Sequence, residues 1–345
     1  MVDWLVQARF QRISLRGFFM SKPVLMVGLG ELLWDLLPSG RVMGGAPANF
    51  AYMASVLGDR GVVASRVGRD AFGREACEVL AKLGLTTSYI QHDDAHETGS
   101  ARVSLDLEGL PTFTIKEAVA WDFLEQSLIW KELAEQADVI CFGTLAQRSP
   151  ISSTTIDQFL SETRETTLQI YDVNLRQSFF SVETLERSFH HADIAKLTNE
   201  ELLRVSSLFA FHEADEVVLA RRLLRRFALR LVCITRGAHG SLLVSEREAV
   251  EHGGFAVDVV DTVGAGDAFT ACLAHYFVRG CALGEVSEAA NRFASWVTTQ
   301  VGATPRLDPA YLQQILGHAP GTARTLVTPK DLGPRSDQDN REIEI

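Results

Sequence analysis

The sequence predicts an α/β fold built on a mostly parallel sheet, and three observations carry that prediction. From Val24 onward short apolar runs alternate with amphipathic helical patterns. The composition is that of a packed chain, with 46% hydrophobic and 22% charged residues over 345 positions. The alternation is interrupted at one place by a two-stranded pattern with polar and apolar residues taking turns.

Val24–Gly30, Gly61–Val67, Asp138–Phe142, Leu168–Val173, Asp193–Leu197 and Leu229–Thr235 read as buried strands. Between them Pro47–Leu57, Ala71–Leu83, Ile151–Arg164, Thr184–His190 and Glu213–Phe227 carry helical spacing. Strands that alternate with helices form a parallel sheet covered on both faces, because each crossover must return along a helix. Thr98–Leu107 and Thr112–Lys116 flank Glu108-Gly109-Leu110-Pro111 and read as a hairpin with one apolar face, in simplest form a flap or small second sheet. Ala265–Val278, Gly284–Gln300 and Pro309–Leu316 are helical, and the composition beyond them turns to that of a tail over 319–345. Residues 1–19 read as an unstructured extension: Arg9, Gln11, Arg12 and Arg16 interrupt their apolar positions, and Met20 directly precedes a clean first strand. A transit peptide is the alternative reading of that segment.

The net charge of −11 offers no basic surface for nucleic acid or an anionic membrane. No run approaches the roughly 20 apolar residues of a membrane span. Five widely spread cysteines with no CxxC pair fit reduced thiols in a cytoplasmic protein.

The strongest motif is Asp261-Thr-Val-Gly-Ala-Gly-Asp267-Ala-Phe269, which opens a helix. Gly264, Ala265 and Gly266 let successive backbone N–H groups converge, and the helix start adds unpaired N–H groups and a positive dipole end, so an anion fits there. Asp267 in the first turn stands where a carboxylate would take the proton of a hydroxyl attacking a bound phosphoryl group. Taken alone, the same residues equally fit a glycine turn with an acidic residue favoured by the dipole. That dipole also leads us to expect an ordinary, low proton affinity for Asp267 at rest.

Gly44-Gly45-Ala46-Pro47-Ala48-Asn49 combines a permissive turn, a proline suited to a first helical turn and an amide that both donates and accepts. Asp35, isolated among apolar residues in Leu33-Trp34-Asp35-Leu36, needs partners if buried, and sugar hydroxyls would serve. Thr235-Arg-Gly237-Ala-His-Gly240 follows a strand and suits either phosphate contacts or a hairpin turn. Asp172-Val-Asn174-Leu-Arg176 stands at the carboxyl end of a strand, where ligands of open α/β sheets sit. Gly28-Leu-Gly30-Glu-Leu-Leu33 begins like a dinucleotide fingerprint but has Leu33 in place of the third glycine, and no GxxxxGK[ST] loop is present.

Together these stretches resemble the ribokinase family of carbohydrate kinases, also called the PfkB family, whose N-terminal signature Gly44–Asn49 resembles and whose C-terminal signature Asp261–Phe269 resembles. The resemblance runs from about Val24 to about Leu316. It implies a three-layer αβα kinase domain over 20–318 with a small β-sheet lid from about 33–45 and 98–117. It further implies Asp267 as catalytic base and Gly264, Ala265 and Gly266 as anion hole for the γ-phosphate of ATP. Asp35, Gly45 and Asn49 would bind the sugar, and Arg176 would reach a sugar or phosphate oxygen. Lys196, Thr198, Thr235, Gly237, Gly240 and Asn291 would lie along the nucleotide, and Glu201 would organise Mg2+ through water; Thr198 replaces the asparagine usual in that Asn-x-x-Glu element. Asp261, Val263, Val297, Gln300 and Gly302 match a monovalent-cation site, where Arg306 replaces a small hydroxyl residue and would discourage K+.

Within the family, GELLWDLLP, GGAPAN and DVNLR are most similar to fructokinases, which implies transfer to the 6-hydroxyl of D-fructose. The alternative is 2-keto-3-deoxygluconate kinase, with Arg102 on the lid as a cation for the substrate carboxylate, or another sugar or nucleoside kinase of the family. A non-catalytic sugar or nucleotide sensor is the alternative of a different class, and a nicotinamide-dependent dehydrogenase would need the missing glycine. The lid is expected to pair two subunits into a homodimer, since an uncovered hairpin leaves open edges.

Overall fold

The computed structural model describes residues 22–37, 40–105 and 111–316; the expected extension over 1–19, the tail over 319–345 and the centre of the expected hairpin lie outside them. In chain order the strands are β1 (Leu25–Leu29), β2 (Leu33–Leu37), β3 (Gly40–Gly44), β4 (Arg60–Gly68), β5 (Ile90–Asp93), β6 (Gly99–Leu105) and β7 (Pro111–Ile115). They continue with β8 (Val139–Gly143), β9 (Leu168–Asp172), β10 (Ile194–Thr198), β11 (Leu231–Thr235), β12 (Ser241–Val244) and β13 (Ala249–His252). The helices are α1 (Ala46–Val56), α2 (Ala71–Lys82), α3 (Leu128–Gln136), α4 (Pro150–Ser161), α5 (Val182–His191), α6 (Asn199–Leu208), α7 (Glu216–Phe227), α8 (Ala265–Phe277), α9 (Leu283–Thr298) and α10 (Pro309–Leu316).

Nine strands form the central sheet in the order β13-β12-β11-β10-β9-β8-β1-β4-β5. Every pairing from β11 to β5 is parallel, and β12 and β13 close one edge as an antiparallel pair. The three layers follow from the pleat, which sends successive side chains to opposite faces. Met26, Cys141 and Ile170 enter a core shared with α1, α2, α8, α9 and α10. Their neighbours Val27, Ile140, Phe142 and Tyr171 enter a second core with α3 to α7. Since both faces are covered, these strands read as continuous apolar runs, which is why sequence alone locates them.

The chain leaves β1 toward β4 and β5 on one side and returns to β8 and onward on the other. The order of the sheet therefore reverses between β1 and β8, and the crevice at their carboxyl ends is the expected place for a ligand. Beside it, β3-β2-β6-β7 form a separate four-stranded sheet. The hairpin expected at 98–116 is β6 and β7, and β2 and β3 extend it through the parallel pairing of β2 with β6.

A buried ion cluster ties the opposite end of the core together. Asp59, whose side chain is fully buried, accepts from His275 Nδ1 at 2.6 Å, from Arg279 Nη2 at 2.5 Å and from the Val24 amide at 3.1 Å. It thereby joins the entry to β1 to the end of α8. Burial pushes the Asp59 carboxyl up, but the hydrogen bonds from His275 and Arg279 outweigh it and hold the group below the usual carboxylate range. A carboxylate depressed in the folded state contributes stability that is present above its unfolded value and lost as pH falls through the folded one. Denaturant titrations should therefore show the protein losing stability as pH falls below about 4. Asp59→Asn should cost about 3 kcal/mol at pH 7 and flatten that acid limb; an unchanged limb in the variant would disprove the assignment.

Candidate active site

The glycine bend and the carboxylate it presents are set by backbone geometry. Gly264 caps α8 with φ 80°, a left-handed conformation, and a Cβ there would lie 2.7 Å from Ala303. Only glycine satisfies both conditions without strain. The first turn of α8 follows, with the Ala265 amide bonded to the Thr262 carbonyl at 3.3 Å, and Asp267 stands in that turn. On the other side of the crevice Gly45, at φ 117°, brings the start of α1 against the main chain of Glu31, where a Cβ would meet the Glu31 carbonyl at 2.6 Å.

These two turns meet through a hydrogen bond. Asn49 in α1 donates from Nδ2 to Asp267 Oδ2 at 2.8 Å, across 218 residues of sequence. The expected low proton affinity of Asp267 is corrected here. Loss of hydration, and then the charge of Asp172, push its carboxyl up to about 6, while Asn49, Lys196 and Arg176 pull the other way. The dipole of α8 contributes about 0.3–1 kcal/mol toward ionisation, too little to offset burial and a like charge.

Asp172 ends β9 and takes both its oxygens to Lys196 Nζ, at 3.0 and 2.9 Å. Thr270 on α8 donates to the same carboxylate at 3.1 Å. Burial works against the charge on Lys196, but Asp172, Asp267 and Glu201 outweigh it and hold the ammonium above the ordinary lysine range. A Cβ on Gly266 would lie 3.1 Å from Lys196 Nζ, so a fixed positive charge sits behind the glycine bend. A narrow crevice is lined by Pro47, Cys141, Gly143, Asp172, Asn174 and Asp267.

Asp35 on β2 is half-buried; loss of hydration raises its carboxyl and the Arg176 charge lowers it. Arg176 is exposed and lies within electrostatic reach of Asp35, Glu31 and Asp267 alike. Arg102 is not brought to this place. It pairs with Leu36, whereas Asp35 pairs with Ala101, so the pleat carries Arg102 to the face opposite Asp35.

Thr198 caps α6, and Glu201 returns the contact in a capping box, its Oε2 accepting from the Thr198 amide at 2.8 Å and its Oε1 from the Leu175 amide at 2.7 Å. One carboxylate oxygen thus holds the main chain of the segment that carries Arg176, and the other holds the start of its own helix. Thr235 ends β11, and Gly237 and Gly240 bound a tight turn held by Arg236, which pairs with Glu216 and Glu251. Asn291 is buried, with Nδ2 donating to Ser241 Oγ and the Ser287 carbonyl, both at 2.7 Å. Asp261 accepts from the amides of Val263 and Gly302, each at 3.0 Å, and so ties the loop before the bend to the end of α9, where the Gln300 amide bonds the Val297 carbonyl at 2.9 Å. Among the described residues no group of three or more His, Cys, Asp or Glu side chains could hold a metal ion. None of their helices is long and apolar enough to cross a membrane.

Sequence reasoning missed Glu31. It is 3% exposed, follows β1 directly, and its Oε2 has no hydrogen-bond partner. Burial and the Asp267 charge push its carboxyl up to about 7 against the pull of Arg176. The only signal in the sequence was a carboxylate set between apolar residues, Leu29-Gly30-Glu31-Leu32, immediately after a buried strand.

Comparison with known proteins agrees with this geometry. The pfkB family carbohydrate kinase model matches residues 40–309. A fructokinase of Salmonella typhimurium is 32% identical over 256 residues, covering 71% of this chain and 81% of that protein. An uncharacterized sugar kinase of Pyrococcus horikoshii is 31% identical over 306 residues, 82% of this chain and 94% of that one, and its complex with ATP superposes with a TM-score of 0.71. A double mutant of Vibrio cholerae fructokinase in a fructose-, ADP- and potassium-bound form is 26% identical, covers 86% of this chain and 99% of its own, and superposes with a TM-score of 0.72. With its family model spanning most of the chain and its three layers, parallel sheet and small second sheet in place, the protein is a member of the pfkB family of carbohydrate kinases, an ATP-dependent sugar kinase.

Proposed function

We propose that this kinase transfers the γ-phosphoryl group of ATP to the 6-hydroxyl of D-fructose. The observation that carries the reading is Asp267: a carboxylate with raised proton affinity, held by Asn49 in the first turn of α8 beside the glycine bend. The fructose assignment is supported by the resemblance to the fructokinases of Salmonella typhimurium and Vibrio cholerae, the latter solved with fructose.

In this mechanism the Gly264–Gly266 amides, the dipole of α8 and Lys196 behind Gly266 offset the charge that spreads over the phosphoryl oxygens. Asp35 and the free carbonyl of Asn49 accept hydroxyl hydrogen bonds and orient the sugar. Asp267 takes the 6-hydroxyl proton as the oxygen–phosphorus bond forms and the bond to ADP breaks. Thr235, Gly237, Gly240 and Asn291 line the nucleotide, Asn291 through whatever its carbonyl can accept, since its amide donates inward. Mg2+ would neutralise phosphate charge; Glu201 fits it only through water, because both its oxygens already hold backbone amides. A potassium ion would sit between the loops tied by Asp261, with Val263, Val297, Gln300 and Gly302 beside it and the charge of Arg306 opposing it. The sugar-acid alternative loses Arg102, which faces away.

The four-stranded sheet would close over the sugar and pair two subunits. Among the described residues its outer strands β3 and β7 have no further strand partner, and Val42 and Leu37 are exposed on the face shared with Asp35. Light scattering at micromolar concentration should give twice the 38.0 kDa chain mass; a single-chain mass would refute the pairing.

Fructose, ribose, adenosine and 2-keto-3-deoxygluconate should be compared as acceptors by ATP consumption. Fructose should lead, and Asp267→Asn should lower kcat by about 10²–10⁴ with sugar binding kept. A full-rate variant would remove the base from the mechanism, and turnover of ketodeoxygluconate in preference to fructose would replace the substrate.

Because the base must be ionised, kcat/KM should be level above pH 7 and fall about tenfold per pH unit below about 6. A profile level down to pH 4.5 would contradict the raised proton affinity of Asp267.

A further inference from the structure

Glu31, Asp35 and Asn49 are linked to the crevice, Glu31 through the charges of Arg176 and Asp267, Asp35 through that of Arg176 and Asn49 through its bond to Asp267. Glu31 Oε2 and Asn49 Oδ1 are both buried without a hydrogen-bond partner. Asp35, on the strand that follows Glu31, is pushed up by burial and pulled down by the Arg176 charge. The backbone of Glu31 and of Ala46 at the start of α1 pulls the Glu31 carboxyl down, yet burial outweighs it, and Oε2 is left without a hydrogen-bond partner. A buried carboxylate oxygen without a donor costs free energy, and a fold tolerates one chiefly where a ligand, ion or water supplies the missing hydrogen.

We propose that Glu31 is a further sugar-contacting residue: its Oε2 accepts a hydroxyl hydrogen bond from the bound substrate and, with Asp35 and Asn49 Oδ1, restricts the site to neutral, polyhydroxylated acceptors. The position favours this over a purely structural role. Glu31 sits at the carboxyl end of β1, against the start of α1, within electrostatic reach of both Asp267 and Arg176. A substrate that brings several hydroxyl donors satisfies all three acceptors at once. One that brings a carboxylate adds a like charge to a crevice that already holds the carboxyls of Glu31, Asp35 and Asp267, which is costly in a poorly hydrated site. This inference rests on the sugar-kinase reading of the same site and extends it from the chemistry to the choice of acceptor.

Glu31→Gln and Glu31→Leu of the full chain would be compared with the wild-type enzyme, using whichever sugar of the acceptor panel the wild type phosphorylates. The KM for sugar should rise at least about tenfold in Glu31→Leu and less in Glu31→Gln, which keeps one acceptor, with the KM for ATP unchanged in both. Thermal melting should be unchanged or higher in Glu31→Leu, since an unsatisfied buried carboxyl is removed. In Glu31→Gln, 2-keto-3-deoxygluconate should compete several-fold more tightly against the sugar. Sugar KM values within twofold of wild type in both variants would overturn the proposal. So would a joint loss of sugar affinity, ATP affinity and melting temperature that Glu31→Gln fully restores, because that pattern marks a merely structural carboxylate. Failure of fructose with turnover of another neutral sugar would remove the fructose reading and leave Glu31 to be judged on that sugar. Preference of the wild type for a sugar acid would refute the neutral-acceptor inference itself.

Discussion

The hydrogen bond from Asn49 to Asp267 is the contact on which the site depends. It joins the first turns of α1 and α8, two helices that pack side by side on one face of the sheet although their sequences lie 218 residues apart. Each helix begins at a glycine forced into positive φ by close packing, Gly45 against Glu31 and Gly264 against Ala303. The two turns therefore cannot drift independently. Whatever fixes α1 against α8 also fixes the carboxylate with respect to the amides beside it, and that registry is the preorganisation on which the proposed phosphoryl transfer would rely.

The electrostatics of the crevice are a balance of several terms, and their sizes decide its behaviour. A helix start favours an ionised Asp267, but only by about 0.3–1 kcal/mol. Carrying the carboxyl from 3.8 to about 6 takes on the order of 3 kcal/mol in the opposite direction, which burial and Asp172 supply together. Asp172 is itself hydrogen-bonded in the core by Lys196 and Thr270. The pair does two things at once. It places a positive charge behind Gly266, where the proposed mechanism puts phosphate charge, and a negative one near Asp267, where it raises proton affinity. Removing either partner alone would leave the other buried and uncompensated.

Much of the architecture was legible in the sequence, for a physical reason. Strands covered on both faces, such as Leu25–Leu29 and Leu231–Thr235, are continuous apolar runs, and the helices between them carry a clear 3.6-residue period. The two glycine-rich turns were legible too, because few residues other than glycine tolerate their backbone. Less legible were β2 and β3, short strands that depend on pairing with β6, and β12 and β13, whose hairpin looks in sequence like a loop. The helices α3 and α6 were also missed, α6 because its capping box, Thr198 with Glu201, occupies the segment read for nucleotide chemistry.

The sequence by itself determined which residues form the layers and which turns present free amides, since hydrophobic period and glycine conformation are local properties. Only the tertiary structure decided how the charged groups behave. The strand pleat turned Arg102 away from Asp35, capping hydrogen bonds engaged both oxygens of Glu201, and burial lifted Asp267 out of the ordinary carboxylate range. It also left Glu31 with an oxygen that no protein donor meets. Hydration and Coulomb interactions depend on neighbours brought together from distant parts of the chain, and no window of sequence contains them.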